Sequence, residues 1–313
     1  MRNLKVLLWI LILLIFKNLE AQKIVEDIKP EKQFKKLTNY KFSFKSGALD
    51  WTPDGKFIIY SRDGAIIRHE LQTGKEEVIE YMDEIEGFKL SSSGSKIAYL
   101  LGGIGFPSRQ MIVIKNFPPK NVLDLKPLPE MYETCSFLWV SNDKKLIFPF
   151  VYGNEWKGIG IYDIEKGRLE VIRRQFFNCS IAFNYRNKEF YIVLDIDNEK
   201  EKLFLLLFDP VLNRFKKKIA IDILPHVPDV EDINCNGKDV LLTMGLLPPL
   251  LNKYGAGIQI VRYSLEDQTL YLLTKGGASY WNVRYSPDCK KIAFFSDRDG
   301  FVNIWLLDLE EKK

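Results

Sequence analysis

Histidine and cysteine are scarce: two His and four Cys in 313 residues. With only His69 and His226 there is little room for a His-based metal centre or a Ser-His-Asp triad, and His69 lies inside the alternating segment AIIRHEL. No two cysteines form C-x-x-C, which argues against a zinc site. The chain has no G-x-S-x-G elbow, no H-E-x-x-H and no P-loop, so the motifs of serine hydrolases, zinc proteases and nucleotide-binding enzymes are missing. No Pro/Ser/Gly-rich linker divides it. Basic residues do not cluster into a face: Lys and Glu are interspersed, and the run Lys216, Lys217, Lys218 reads as the solvated edge of an outer strand. Nucleic acid is therefore not an expected partner.

What is present is a repeat. WTPDGKFIIYSRDGAIIRHELQTGKEEVI, from Trp51, has a near-copy in YSPDCKKIAFFSDRDGFVNIWLLDLEEKK at the other terminus. A small polar residue opens a turn, and a β-branched or apolar residue follows six positions later: Thr52 with Ile58, Ser91 with Ile97, Ser141 with Ile147, Asn184 with Phe190, Asn234 with Val240, Ser286 with Ile292. Successive openings are 39, 50, 43, 50 and 52 residues apart. A period of roughly 40–50 residues with about four alternating strands per unit predicts propeller blades. The fold class expected is all-β: a six-bladed β-propeller with four antiparallel strands per blade. The sixth unit ends after its third strand, and QFKKLTNYKFSF resembles the connection LYLLTKGGASYW between the fifth and sixth units. Residues 33–38 are thus expected to pair beside 302–308, so that the N-terminal strand closes the last blade.

The strings WTPDGKFIIYS, YSPDCKKIAFFSDRDG and NIWLLDL resemble the WD40-like "SPDGK" repeat of TolB-type propellers. The likeness is close in the first and last units, moderate in LSSSGSKIAYL, and reduced to spacing in the third to fifth. It covers nearly everything after about residue 33. The repeat specifies a blade and no reaction, so the resemblance implies a non-enzymatic scaffold in an envelope assembly, with a protein or peptide partner. TolB carries an α/β domain ahead of its propeller, for which residues 22–32 are too few.

Arg2 and Lys5 precede the apolar run VLLWILILLIF, residues 6–16, and Ala21 supplies a small residue near its exit. That order reads as a signal peptide over 1–21, with a lead-in over 22–32 and the propeller over 33–313. The alternative is an uncleaved anchor at residues 4–16, the one route to a membrane. Either reading places the protein outside the cytoplasm, in the periplasm, as a monomer. The 46% hydrophobic and 13% aromatic content suits a sizeable core, and loss of residues 1–21 takes the formal charge from +4 to +2.

Candidate sites lie on the loops between second and third strands and between blades. Residues 101–109, 151–158 and 245–257 are long and carry Phe106, Tyr152, Trp156, Leu246, Leu247 and Tyr254, which with Tyr280 and Trp281 would crown one rim. Such side chains serve either as interface anchors or as cover for the core. His226 sits near Asp229, Glu231 and Asp232, as a general base, a metal ligand or a solvated loop residue. An enzymatic alternative would stack a glycan on the rim and use a carboxylate pair such as Glu155 with Asp229. No cofactor is expected, although the SDRDG loop with Asp297 and Asp299 is a weak Ca²⁺ candidate beside its turn-forming role. Cys135 and Cys179 occupy matching positions in neighbouring blades, either as a bridge or as small buried hydrophobes. Cys289 replaces the glycine of the turn and reads as exposed and merely tolerated there.

Overall fold

The computed structural model describes residues 24–41, 46–82, 85–104, 109–118, 137–140, 143–152, 156–174, 181–183, 191–197, 202–209, 214–221, 229–246 and 250–309. The strands build an all-β propeller. They fall into six sheets, four with four strands, one with five and one with three. Among the described residues the structure shows five blades of four or more strands, not the six expected. Five sheets reach four strands or more, while the second holds Ile85–Leu90, Lys96–Ile104 and Arg109–Asn116 alone. Residues 119–136, which follow that sheet in the chain, lie outside the described residues.

The six-residue frame has a local cause. In the first blade the Thr52 hydroxyl accepts from Phe57 N–H at 3.1 Å and donates to Asp54 Oδ1 at 2.6 Å, while Lys56 N–H donates to the same oxygen at 3.1 Å. Ser286, Asp288, Lys290 and Lys291 repeat these contacts in the last blade. Ser91 accepts from Lys96 N–H and Asn234 from Asp239 N–H in the same way. The side chain that opens the turn thus fixes where the second strand begins. Gly55, Gly94 and Gly237 take the left-handed position, with φ of 68°, 70° and 72°, and Cys289 takes it at 57°.

The first sheet buries both faces against its neighbours. Ile58, Tyr60 and Ile67 face Ala293, Phe295 and Leu306 of the last sheet, whereas Ile59 and Ile66 face Phe88, Ile97 and Tyr99 of the second. Period-two alternation sends successive residues to opposite seams, so the strands are apolar on both sides.

Phe34–Lys36 pairs antiparallel with the last strand, Phe34 opposite Leu307 and Lys36 opposite Trp305. The preceding stretch, read as a lead-in, also joins the ring. Ile24–Glu26 runs parallel to Leu270–Leu272 and adds a fifth strand to the fifth sheet. Asp27 N–H and Lys29 N–H continue that contact to Leu272 O and Leu273 O. The expected signal peptide, residues 1–21, lies outside the described residues. Among the described residues no helix is long and apolar enough to cross a membrane.

Candidate functional site

The loop rim loses several of its expected anchors. Tyr254 closes the short helix Leu250–Tyr254 and is buried, its hydroxyl donating to Glu26 Oε1 at 2.8 Å. Tyr280 is buried edge-on to Phe294, with centroids 5.5 Å apart, and Leu246 is also core. These side chains cover the blades, because burial removes a large apolar surface from water. Trp281 is half-buried and stacked on Phe295. Tyr152 and Trp156 are cross-strand partners at the tip of one hairpin. Asp229 is exposed at the start of its strand. Phe106, Glu155, Leu247 and His226 lie outside the described residues, as do Cys135 and Cys179.

One other expectation changes. Cys289 is not a tolerated bystander: it is bonded to Cys235, with Cα atoms 5.9 Å apart across neighbouring turns of the fifth and sixth blades. Asp297 Oδ1 accepts from Ser279 N–H at 2.8 Å, and Asp299 is paired with the Lys36 ammonium. The Asp299 contact ties this loop to the closing strand, and the Asp297 contact ties it to the segment entering the same blade. Among the described residues no cluster of three or more His, Cys, Asp or Glu is placed to hold a metal.

A pocket of about 590 Å³ lies on the ring axis. Its walls are inner-strand residues Asp50, Lys89, Glu231, Asp232 and Arg284, and its mouth is formed by the turns carrying Pro53, Ser92, Cys235 and Cys289. An antiparallel blade puts its first turn and its second-to-third loop at opposite ends. The pocket therefore opens away from the rim singled out in the sequence.

The carboxylates of the wall hold the ring together. Asp50 accepts from Trp51 N–H and, across the seam, from Leu90 N–H at 3.1 Å. Asp232 accepts from Ile233 N–H and, across the seam, from Tyr285 N–H at 2.8 Å. Glu231 accepts from Thr243, from Val283 N–H and from Arg284, whose guanidinium lies 3.1 Å away. Lys89 differs. It is only 9% exposed, and its ammonium makes no hydrogen bond or ion pair among the described residues, whereas its carbonyl accepts from Trp139 Nε1. Burial, then repulsion from Arg284, pushes its pKa down to about 8, against the attraction of Asp50, Asp232 and Glu231. Burial pushes Asp232 up to about 6, against Arg284, Lys89 and its two backbone donors.

These residues had a sequence signal. Two positions before each turn-opening residue stand Asp50, Lys89, Trp139, Ala182, Asp232 and Arg284. Four charges at one repeat position inside otherwise apolar inner strands mark an axial polar cluster.

Neither a protein-family profile nor a characterised protein sequence matches the chain. Solved structures do. A TolB-like protein of Agrobacterium tumefaciens superposes with a TM-score of 0.58 at 12% identity, over 86% of this chain and 91% of that one. A gluconolactonase of Xanthomonas campestris gives 0.60 at 12%, over 88% and 89%. An oligogalacturonate lyase of Vibrio parahaemolyticus gives 0.57 at 11%, over 88% and 80%. At such identities the likeness is one of fold, and that fold serves TolB-like proteins and enzymes alike.

Proposed function

We propose that this chain is an exported, non-enzymatic TolB-like propeller, a six-bladed scaffold for a ligand or a partner segment in the cell envelope. One observation carries this reading. The axial pocket is roomy, yet the carboxylates of its wall are engaged in hydrogen bonds that join neighbouring blades. Acid–base catalysis on a glycan needs two carboxyl groups facing substrate, and Asp50 and Asp232 instead present their oxygens to backbone N–H groups. The Cys235–Cys289 bond supports export, because disulfides persist in oxidising compartments. The leader-like segment at residues 1–21 supports it too. The working state is a periplasmic monomer, and no cofactor enters the reading.

The second reading is a glycan- or peptide-processing enzyme, favoured by enzymes among the structural neighbours. A binding-and-recovery experiment separates the two. Purified protein is dialysed to equilibrium against labelled envelope peptides and acidic oligosaccharides, and the retained ligand is recovered and sized. Saturable retention of unaltered ligand is the expected result. Shortened or eliminated product, formed in proportion to protein and lost in Asp232→Asn, would overturn the scaffold reading.

A further inference from the structure

We propose that the axial pocket is a carboxylate-binding site, in which the Lys89 ammonium meets a singly charged acidic group of a small ligand. This rests on the binding reading above and gives it a chemistry.

An ammonium largely withdrawn from water and without a protein partner is costly. Lys89 is 9% exposed, lines the pocket and has no acceptor for its ammonium among the described residues, although carboxylates surround it. The reason is geometric. The oxygens of Asp50 and Asp232 are turned to backbone N–H groups on two strands each, and Glu231 is turned to Arg284, Val283 and Thr243. The contacts from Leu90, Tyr285 and Val283 hold these carboxylates across the seams between blades. Charge repulsion adds to the mismatch, since Arg284 on the sixth blade is the charge that most disfavours protonated Lys89 on the second. An anion between the two would pair Lys89 and relieve that repulsion, leaving Arg284 still held by Glu231.

The same surroundings select the anion. Lys89 and Arg284 face three carboxylates, Asp50 on the first blade and Glu231 and Asp232 on the fifth. Two cations against three carboxylates leave the wall net negative, so a phosphate dianion would meet about twice the overall repulsion of a carboxylate, whose binding depends on direct contact with Lys89. A carboxylate brings one charge and two acceptors, and a cavity of about 590 Å³ leaves room for the rest of a small ligand. Two sources carry that group, the uronate of a sugar acid and the free C-terminus of a short peptide.

The test follows the ¹³Cε signal of Lys89 in the full-length purified protein, assigned by its loss in Lys89→Met. Acetate serves as the minimal carboxylate. Glucuronate and N-acetyl-dialanine represent the two sources, with their methyl esters as uncharged controls. Saturable shifts with the acids and none with the esters are expected. Affinity should fall up to tenfold per unit above about pH 8, as the free amine forms, and rise below about pH 6, as Asp232 in the same wall takes up its proton. Binding should drop at least tenfold in Lys89→Met, whose Tm should equal or exceed that of the parent because an unpaired buried charge is gone. If Lys89→Met does not fold, the pH profile and the acid-to-ester ratio of the parent decide. Esters binding as well as acids would overturn the carboxylate assignment and leave the binding reading standing. Acids that leave the Lys89 signal unmoved at tens of millimolar would overturn it as well, whereas turnover of bound ligand would overturn the binding reading.

Discussion

Breaking the Cys235–Cys289 bond should lower stability by an amount that can be worked from the chain path. The bond spans 54 residues of sequence, from the first turn of the fifth blade to that of the sixth. Loop-closure entropy for a cross-link of that span is worth about 4 kcal/mol. Unfolding entropy of roughly 2.1 cal/mol/K per residue, over about 280 residues, comes to roughly 0.6 kcal/mol/K. Cys235→Ser with Cys289→Ser should therefore lower Tm by about 7 °C. Calorimetry of the parent with and without reductant, beside the double variant, checks it. A further comparison isolates the backbone. Cys289 sits at φ 57°, where glycine is at ease, so under reducing conditions Cys289→Gly should exceed Cys289→Ser by about 1 kcal/mol. A reductant shift below about 2 °C would refute the argument, because the span alone predicts several times more.

Three other outcomes are expected. Tyr254→Ala should destabilise by about 3–5 kcal/mol as a core truncation, and Tyr254→Phe by about 1 kcal/mol, with faster amide exchange confined to residues 24–29; equal, negligible effects in thermal melts would return Tyr254 to the surface. Burial raises the Glu76 carboxyl, but hydrogen bonds from His69, Tyr60 and Tyr40 outweigh it and hold it at about 2, below its ordinary 4.5. A depressed folded pKa gives stability that is complete above the unfolded value and lost as pH falls toward about 2. After allowing for its one-third exposure, Glu76→Gln should cost about 1–2 kcal/mol at pH 7 and nothing near pH 2, as denaturant melts at both pH values would show. Residues 1–30 fused to a reporter active only outside the cytoplasm should give signal and a mature product starting near Gln22; a cytoplasmic product retaining Met1 would contradict export, and full-length chain in membranes would select an anchor.

The propeller was legible because its turn chemistry is local. A hydroxyl or amide that accepts five residues ahead leaves the same spacing wherever it recurs, even where the SPDG letters are lost. Closure by Phe34–Lys36 was legible for the same reason, since one connection copies another. Contacts made between units were not. Cys235 follows its turn-opening residue by one position and Cys289 by three, so no frame aligns them, yet neighbouring turns bring their Cα atoms to 5.9 Å. Cys135 and Cys179 match in frame and so stood out in the sequence, but they lie outside the described residues. The site was missed because large loop aromatics stand out in a sequence, while Lys89 and Arg284 stand out only when all six inner strands are aligned. Tyr254 and Tyr280 looked like anchors because loop residues are assumed exposed; a helix and a blade edge bury them.

The N-terminal strands have a consequence for how the molecule is made. Phe34 pairs with Leu307, and Ile24 with Leu270, so the first-synthesised strands wait for partners more than two hundred residues later. The pairing of Phe34 must wait for Leu307, whereas Ile24 can pair once Leu270 has been made. A ring closed by such distant pairs completes late in folding. Loss of Asn303–Asp308 would leave Phe34–Lys36 without its partner, while Ile24–Glu26 would keep Leu270–Leu272.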